Sequence, residues 1–120
     1  SRSDIQSMID DYIVLEIDGN VVGCVAIHPY LDSGKAELAC LYVKRGHTGQ
    51  GYGGILVGAA IERAKQLGYT NLFALSTQAA GYLERAGFIR SRDLDQLPPH
   101  RREQWEKNGR NALVLLRGIE

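Results

Sequence analysis

Two stretches carry groups that could do chemistry. The first is RGHTGQGYGG, Arg45 to Gly54, in which five of ten residues are glycine. It separates an apolar run, AELACLYV (36–43), from ILVGAAIERAKQLG (55–68). In the latter, Ile55, Leu56, Ala59, Ala60, Ala64 and Leu67 recur at helical spacing. A helix start leaves about four backbone N–H groups without partners and carries roughly half a positive charge. Glycines placed there let the backbone approach an anion without Cβ atoms intervening, and Gly49, Gly51, Gly53 and Gly54 would do so. A flexible connection is the plainer reading of the same residues. The second stretch is the apolar run itself, because Glu37 stands inside it. Partial burial disfavours the charged form of a carboxylate and makes it a stronger base. A strand-edge glutamate facing water is the alternative.

The spacing excludes several chemistries. A phosphate loop of the Walker type needs Gly-Lys-Ser/Thr where Gly53-Gly54-Ile55 stands. A dinucleotide fold places its glycines after the first strand of a parallel sheet, whereas here they follow a meander. No Cys/His spacing resembles a metal site, so no metal is expected.

The elements that must position these residues follow from pattern. Ser3 with Gln6 fits a capping box and predicts a short helix over 4–10. YIVLEI (12–17) and VVGCVAIHPY (21–30) flank DGN and predict a hairpin, with His28 before Pro29 ending the second strand. AELACLYV is a third strand. The helix after the glycine loop closes at Gly68. NLFAL (71–75) is a strand, AAGYLERAG (79–87) a helix closed by Gly87, FIRS (88–91) a strand, and NALVLLRGI (111–119) the last strand. Pro98-Pro99 opens a short polar helix, on which His100-Arg101-Arg102 reads as a solvated face. A meander feeding a strand–helix–strand unit predicts an α+β fold: a mixed, largely antiparallel sheet with helices on its faces.

The totals fit one domain over residues 1–120. Fourteen basic residues balance fourteen acidic ones, which gives no argument for nucleic acid or an anionic membrane as partner. No apolar run approaches the roughly 20 residues that span a bilayer. Cys24 and Cys40 sit in apolar runs and read as two buried free thiols of a cytoplasmic protein.

Val43, Gly49-Gln50-Gly51-Tyr52-Gly53 and Ile55-Leu56 together resemble the Gln/Arg-x-x-Gly-x-Gly/Ala loop of the GNAT acetyltransferases. AGYLERAGF (80–88) resembles the later helix of that family, which ends in Gly-Phe. The resemblance implies acetyl-CoA as cosubstrate. Its pyrophosphate would lie on Thr48, Gly49, Gln50, Gly51, Tyr52, Gly53 and Gly54, and its pantetheine arm along Leu41, Tyr42 and Val43, whose backbone N–H groups would polarise the thioester. It also implies that the family's first strand and first helix should precede Ser1, so that the chain lacks them and is truncated at its N-terminus.

Within the family, AELACLYV, LFALST, YLERAGF, DLDQLP and NALVLL resemble the acetyltransferase domain of bacterial N-acetylglutamate synthases. This implies a small-molecule acceptor, L-glutamate, acetylated in the first step of arginine synthesis. Glu37 would be the base, and Cys40, Arg110 and Asn111 would face the acceptor. Homo-oligomerisation is left open. In a regular strand, residues three apart face opposite sides, so Glu37 and Cys40 can share one acceptor only through a bulge near 38–40. Such a bulge would also splay the strand and open the family's slot for pantetheine.

There are departures. Thr48 replaces the usual arginine, Gln78 follows Ser76-Thr77 where the synthases place Arg or His, and Asn111 or Ala112 stands where an Arg-x-Ser serine is expected. Leu83 occupies the position of the tyrosine acid of many family members, a change shared with the synthases. Two other readings stay open: an enzyme acting on a different small amine, and a degenerate acyl-CoA-binding domain.

Overall fold

The computed structural model describes residues 11–109 and 111–119, so the helix expected over 4–10 lies outside the described residues. A single six-stranded sheet forms the centre, in the order β1-β2-β3-β4-β6-β5. Its strands are β1 (Asp11–Ile17), β2 (Asn20–Tyr30), β3 (Lys35–Val43), β4 (Asn71–Ser76), β5 (Ile89–Arg90) and β6 (Leu113–Gly118). Helix α1 (Tyr52–Gln66) connects β3 to β4, α2 (Ala80–Arg85) follows β4, and α3 (Pro99–Asn108) precedes β6. All pairs are antiparallel except β3 with β4, which are parallel and joined by the α1 crossover.

The first hairpin turns on Asp18 and Gly19, at φ 52° and 81°. Positive φ at both central residues is what a two-residue turn needs to match strand twist. β2 runs through His28 and Pro29 to Tyr30, with His28 opposite Glu37 and Pro29 opposite Ala36. The expectation that His28 ends the strand is therefore corrected. α1 ends as expected: Gly68 sits at φ 90° and Tyr69 donates to Ala64 O at 3.0 Å, satisfying a last-turn carbonyl.

Two apolar clusters hold the layers together. On one face of the sheet α1 and α2 bury Leu56, Val57, Ala60, Ala64 and Leu83 against Val25, Ile27, Leu38, Leu72 and Leu115. On the other, Phe73, Val114 and Leu97 form a smaller core with Tyr30, Leu94 and Trp105. α3 contributes no fully buried residue. It is tied to the sheet by Trp105, whose Nε1 donates to Ala112 O at 3.1 Å, and by one arginine.

Candidate active site

β3 changes partner along its length, and that change makes the site. Near its start it pairs with β4 at Ala36–Leu72 and Glu37–Phe73, and there the pairing ends. On the β2 side, Ala26 faces Ala39 and Cys24 faces Tyr42, so Val25 lies opposite both Cys40 and Leu41. The bulge expected near 38–40 falls at Cys40 and Leu41. Cys40 takes φ 55°, a left-handed conformation that is uncommon for a non-glycine residue and occurs at functional sites. A bulge bends its strand and steepens the twist, which carries the second half of β3 away from β4. The gap is a cleft of about 370 Å³, lined on one side by Glu37 to Leu41 and on the other by Ala74 to Ala79, with Leu83 and Arg101.

The open edge of β3 offers donors. Lys44 gives its N–H to Val22 O at 2.7 Å, toward β2. By strand alternation Val43 points its own the other way, where β4 has diverged. Tyr42 points its N–H back into β2 and leaves its ring exposed. Of the expected stretch Leu41–Val43, alternation aims the Val43 N–H at the open side and the Tyr42 N–H away from it, while Leu41 sits in the bulge.

The glycine loop runs from the end of β3 to α1, with Thr48, Gly49 and Gln50 exposed. Gly51 is the helix N-cap at φ 85°, a conformation in which other L-residues are strained. The first intrahelical bond is Ile55 N–H to Gly51 O at 3.2 Å, so the preceding N–H groups have no helical acceptor. The first turn holds no acidic residue to fill that role. Gly53 is buried because the Tyr82 ring lies on it: a Cβ there would be 2.8 Å from Cε1. Tyr82 is thus a packing residue, with the Arg85 guanidinium over its ring at 5.3 Å. The loop is suited to an anion on the evidence of its open N–H groups and the absence of a competing carboxylate.

Glu37 lies at the apex of the cleft, where the two strands part, and is only 5% exposed. Its environment differs from a purely apolar pocket. Arg101 Nε donates to Oε1 at 2.9 Å and Arg101 Nη2 to Oε2 at 3.3 Å, while the Tyr30 hydroxyl donates to Oε1 at 3.1 Å. The expectation that 100–102 is a solvated face is corrected for Arg101, whose side chain is 26% exposed. Its neighbours do face outward: Arg102 pairs with Asp95 at 2.6 Å and Glu106 at 3.2 Å, and His100 lines an outer groove with Pro29, Tyr30 and Leu31. Nothing in the sequence separates Arg101 from Arg102; helical phase on an unplaced, polar helix was the only signal.

Cys40 lines the cleft but is exposed, and Cys24 is half-buried, so the expectation of two buried thiols is corrected. Both are free, and the Cys24 thiol lies 3.8 Å from Cys40 O. Asn111 is exposed in the turn before β6 and is not part of the cleft lining, and Arg110 lies outside the described residues. Among the described residues no group of His, Cys, Asp and Glu could hold a metal ion, and no helix is long and apolar enough to cross a membrane.

Comparison with known proteins agrees with this arrangement. The profile of the acetyltransferase (GNAT) family matches residues 3–88. An amino-acid acetyltransferase from Neisseria meningitidis serogroup A is 36% identical over 119 residues, 99% of this chain and 27% of that protein. One from Shewanella oneidensis is 30% identical over 116 residues, 97% of this chain and 26% of its own length. The chain therefore spans about a quarter of the curated relatives it matches. The structure of N-acetylglutamate synthase from Neisseria gonorrhoeae, complexed with coenzyme A and N-acetyl-glutamate, superposes with a TM-score of 0.83 at 35% identity, covering all of this chain and 28% of that one. Tetrahymena GCN5, at 21% identity and a TM-score of 0.71 over 92% of this chain and 69% of its own, shares the fold alone. The splayed parallel pair, the glycine-capped helix and these matches lead to one conclusion: the chain belongs to the GNAT family of acetyltransferases.

Proposed function

We propose that residues 1–120 form one acetyltransferase domain that transfers acetyl from acetyl-CoA to the α-amine of L-glutamate, the first step of arginine synthesis. The observation that carries this reading is the buried Glu37 at the apex of a cleft whose β3 side runs on through Val43 to the glycine-capped start of α1. The names of the relatives support the amino-acid acceptor, and the structure solved with N-acetyl-glutamate supports glutamate.

The chemistry divides among the residues as follows. Thr48 to Gly54 would hold the pyrophosphate at the helix start. The N–H group of Val43 would stabilise the oxygen of the thioester as it becomes an oxyanion. Glu37 takes the proton that the acceptor ammonium must lose. The free amine then attacks the carbonyl carbon, a C–N bond forms and the C–S bond breaks; the nitrogen gives up its second proton as the amide forms, that proton passes through water to the departing coenzyme A thiolate, and the first is released from Glu37 to solvent. Leu83 is 1% exposed in the core and offers no proton, so no side-chain acid is assigned. Arg101 is the cation of the cleft lining among the described residues and its fork is taken by Glu37, so Arg110 is the residue assigned to the acceptor carboxylates, which require a cationic partner.

The test is a thiol-release assay with acetyl-CoA and a panel of amino acids and small amines. Glutamate is expected to give the highest kcat/KM, with aspartate and glutamine poorer. Preference for a neutral or cationic amine would leave acetyl transfer and overturn the glutamate assignment. Coenzyme A binding without thiol release from any amine would favour the degenerate acyl-CoA-binding domain.

A further inference from the structure

The two oxygens of Glu37 are unequally occupied. Oε1 accepts from Arg101 Nε at 2.9 Å and from the Tyr30 hydroxyl at 3.1 Å. Oε2 accepts from Arg101 Nη2 at a longer 3.3 Å. A carboxylate oxygen has about two acceptor sites, so Oε1 is filled and Oε2 retains capacity. The groups facing this carboxylate are Arg101 from α3, with Gln104 behind it, and Tyr30 and His28 from β2. A buried ion pair adds little net stability over apolar packing of the same volume, so stability alone gives weak reason to place one at the apex of a cleft.

We propose that Arg101 is a positioning residue for acetyl transfer: its fork fixes the plane of the Glu37 carboxylate and leaves Oε2 as the atom that takes the proton from the acceptor ammonium. The proposal rests on the reading of Glu37 as the base. It gives α3 a purpose that its composition does not. The helix buries no apolar residue completely, and the Trp105 contact with Ala112 and the Arg101 contact with Glu37 hold it at the level of the cleft. A lysine could supply charge at this place but not the two-point contact that sets an orientation.

The test is a kinetic double-mutant cycle on the whole chain, using whichever amine the parent accepts. Glu37→Gln is expected to lower kcat by about 10² to 10⁴. Arg101→Ala is expected to lower kcat by about tenfold to a hundredfold, the loss that a misplaced reacting group incurs, with the KM for acetyl-CoA unchanged. Arg101→Lys is expected to fall between Arg101→Ala and the parent. Because Arg101 acts through Glu37, adding Arg101→Ala to Glu37→Gln should cost less than about twofold more. The double variant buries no unpaired carboxylate, so the cycle keeps a readout even if Arg101→Ala alone does not fold; Arg101→Lys then serves as the single variant. Losses that multiply would overturn the proposal, as would an unchanged kcat with only the acceptor KM raised, which would make Arg101 an acceptor ligand. A parent that binds acetyl-CoA but acetylates no amine overturns both the proposed function and this assignment; an active parent with multiplying losses overturns this assignment alone.

Discussion

Gly53 and Gly54 are neighbours in the first turn of α1 and differ in what a methyl group would meet. A Cβ on Gly53 would lie 2.8, 2.9 and 3.0 Å from Cε1, Cζ and Cδ1 of Tyr82, whereas one on Gly54 has nothing within 4 Å. Replacing glycine with alanine in a helix gains roughly 0.5–1 kcal/mol from backbone entropy. Forcing a methyl group into filled space costs roughly 1–3 kcal/mol. Gly54→Ala should therefore stabilise the fold by up to about 1 kcal/mol, and Gly53→Ala should fall below Gly54→Ala by about 1–3 kcal/mol. For a chain of this length that separates their melting midpoints by roughly 4–12 °C. Thermal unfolding of the ligand-free variants by calorimetry measures the difference. Repeating the pair in a Tyr82→Ala background should collapse it, since the clash needs the ring. Coincident melting of Gly53→Ala and Gly54→Ala in the parent background would refute the packing of α2 on the start of α1, and with it the geometry assigned to the anion-binding turn.

Acetyl-CoA should raise the melting midpoint of the parent, by about 2.7 kcal/mol of stabilisation at a hundred times its dissociation constant. Gly51→Val should lose most of that shift, because a β-branched residue is strained at φ 85°; a shift equal to the parent's would remove the helix start from the binding site. Arg110→Ala should weaken glutamate use by about tenfold to a hundredfold while acetyl-CoA binding is retained, in line with one charge-assisted hydrogen bond of roughly 1.5–3 kcal/mol. Unchanged kcat/KM for glutamate would place Arg110 outside the site. On α3, the hydrogen bond from Lys107 to Glu103 at 3.1 Å, and then its charge, hold the Glu103 carboxyl below its ordinary value. A depressed carboxylate value means that the pair's contribution is present above the ordinary range and is lost as pH falls through the folded-state value. Lys107→Met should return the Glu103 midpoint to the ordinary range in an NMR titration, and an unmoved midpoint would deny the pairing.

Periodicity and turn chemistry are local properties, and they were enough to order the described elements from β1 to β6. Alternation marked the strands, and Asp18-Gly19 and Gly68 marked where chains must turn, because the cost of φ > 0 falls on a residue's own Cβ wherever the chain goes next; the helical pattern was read from Ile55, and the structure starts α1 at Tyr52, with Gly53 and Gly54 inside its first turn. The bulge was expected through the family resemblance, which implied that Glu37 and Cys40 meet one acceptor and so break strand alternation. Partnership across the fold was not. Arg101 is 64 residues from Glu37, on a helix with little apolar stripe to give its phase, and the sequence offers Arg102 beside it on equal terms. Only the docking of α3 through Trp105 decides which guanidinium reaches the sheet. The exposure of Cys40 was likewise set by the bulge turning it outward, against the apolar character of its neighbours. The cleft itself belongs to no segment: it exists because β3 pairs with β4 for two residues and then, bent by its own extra residue, leaves it.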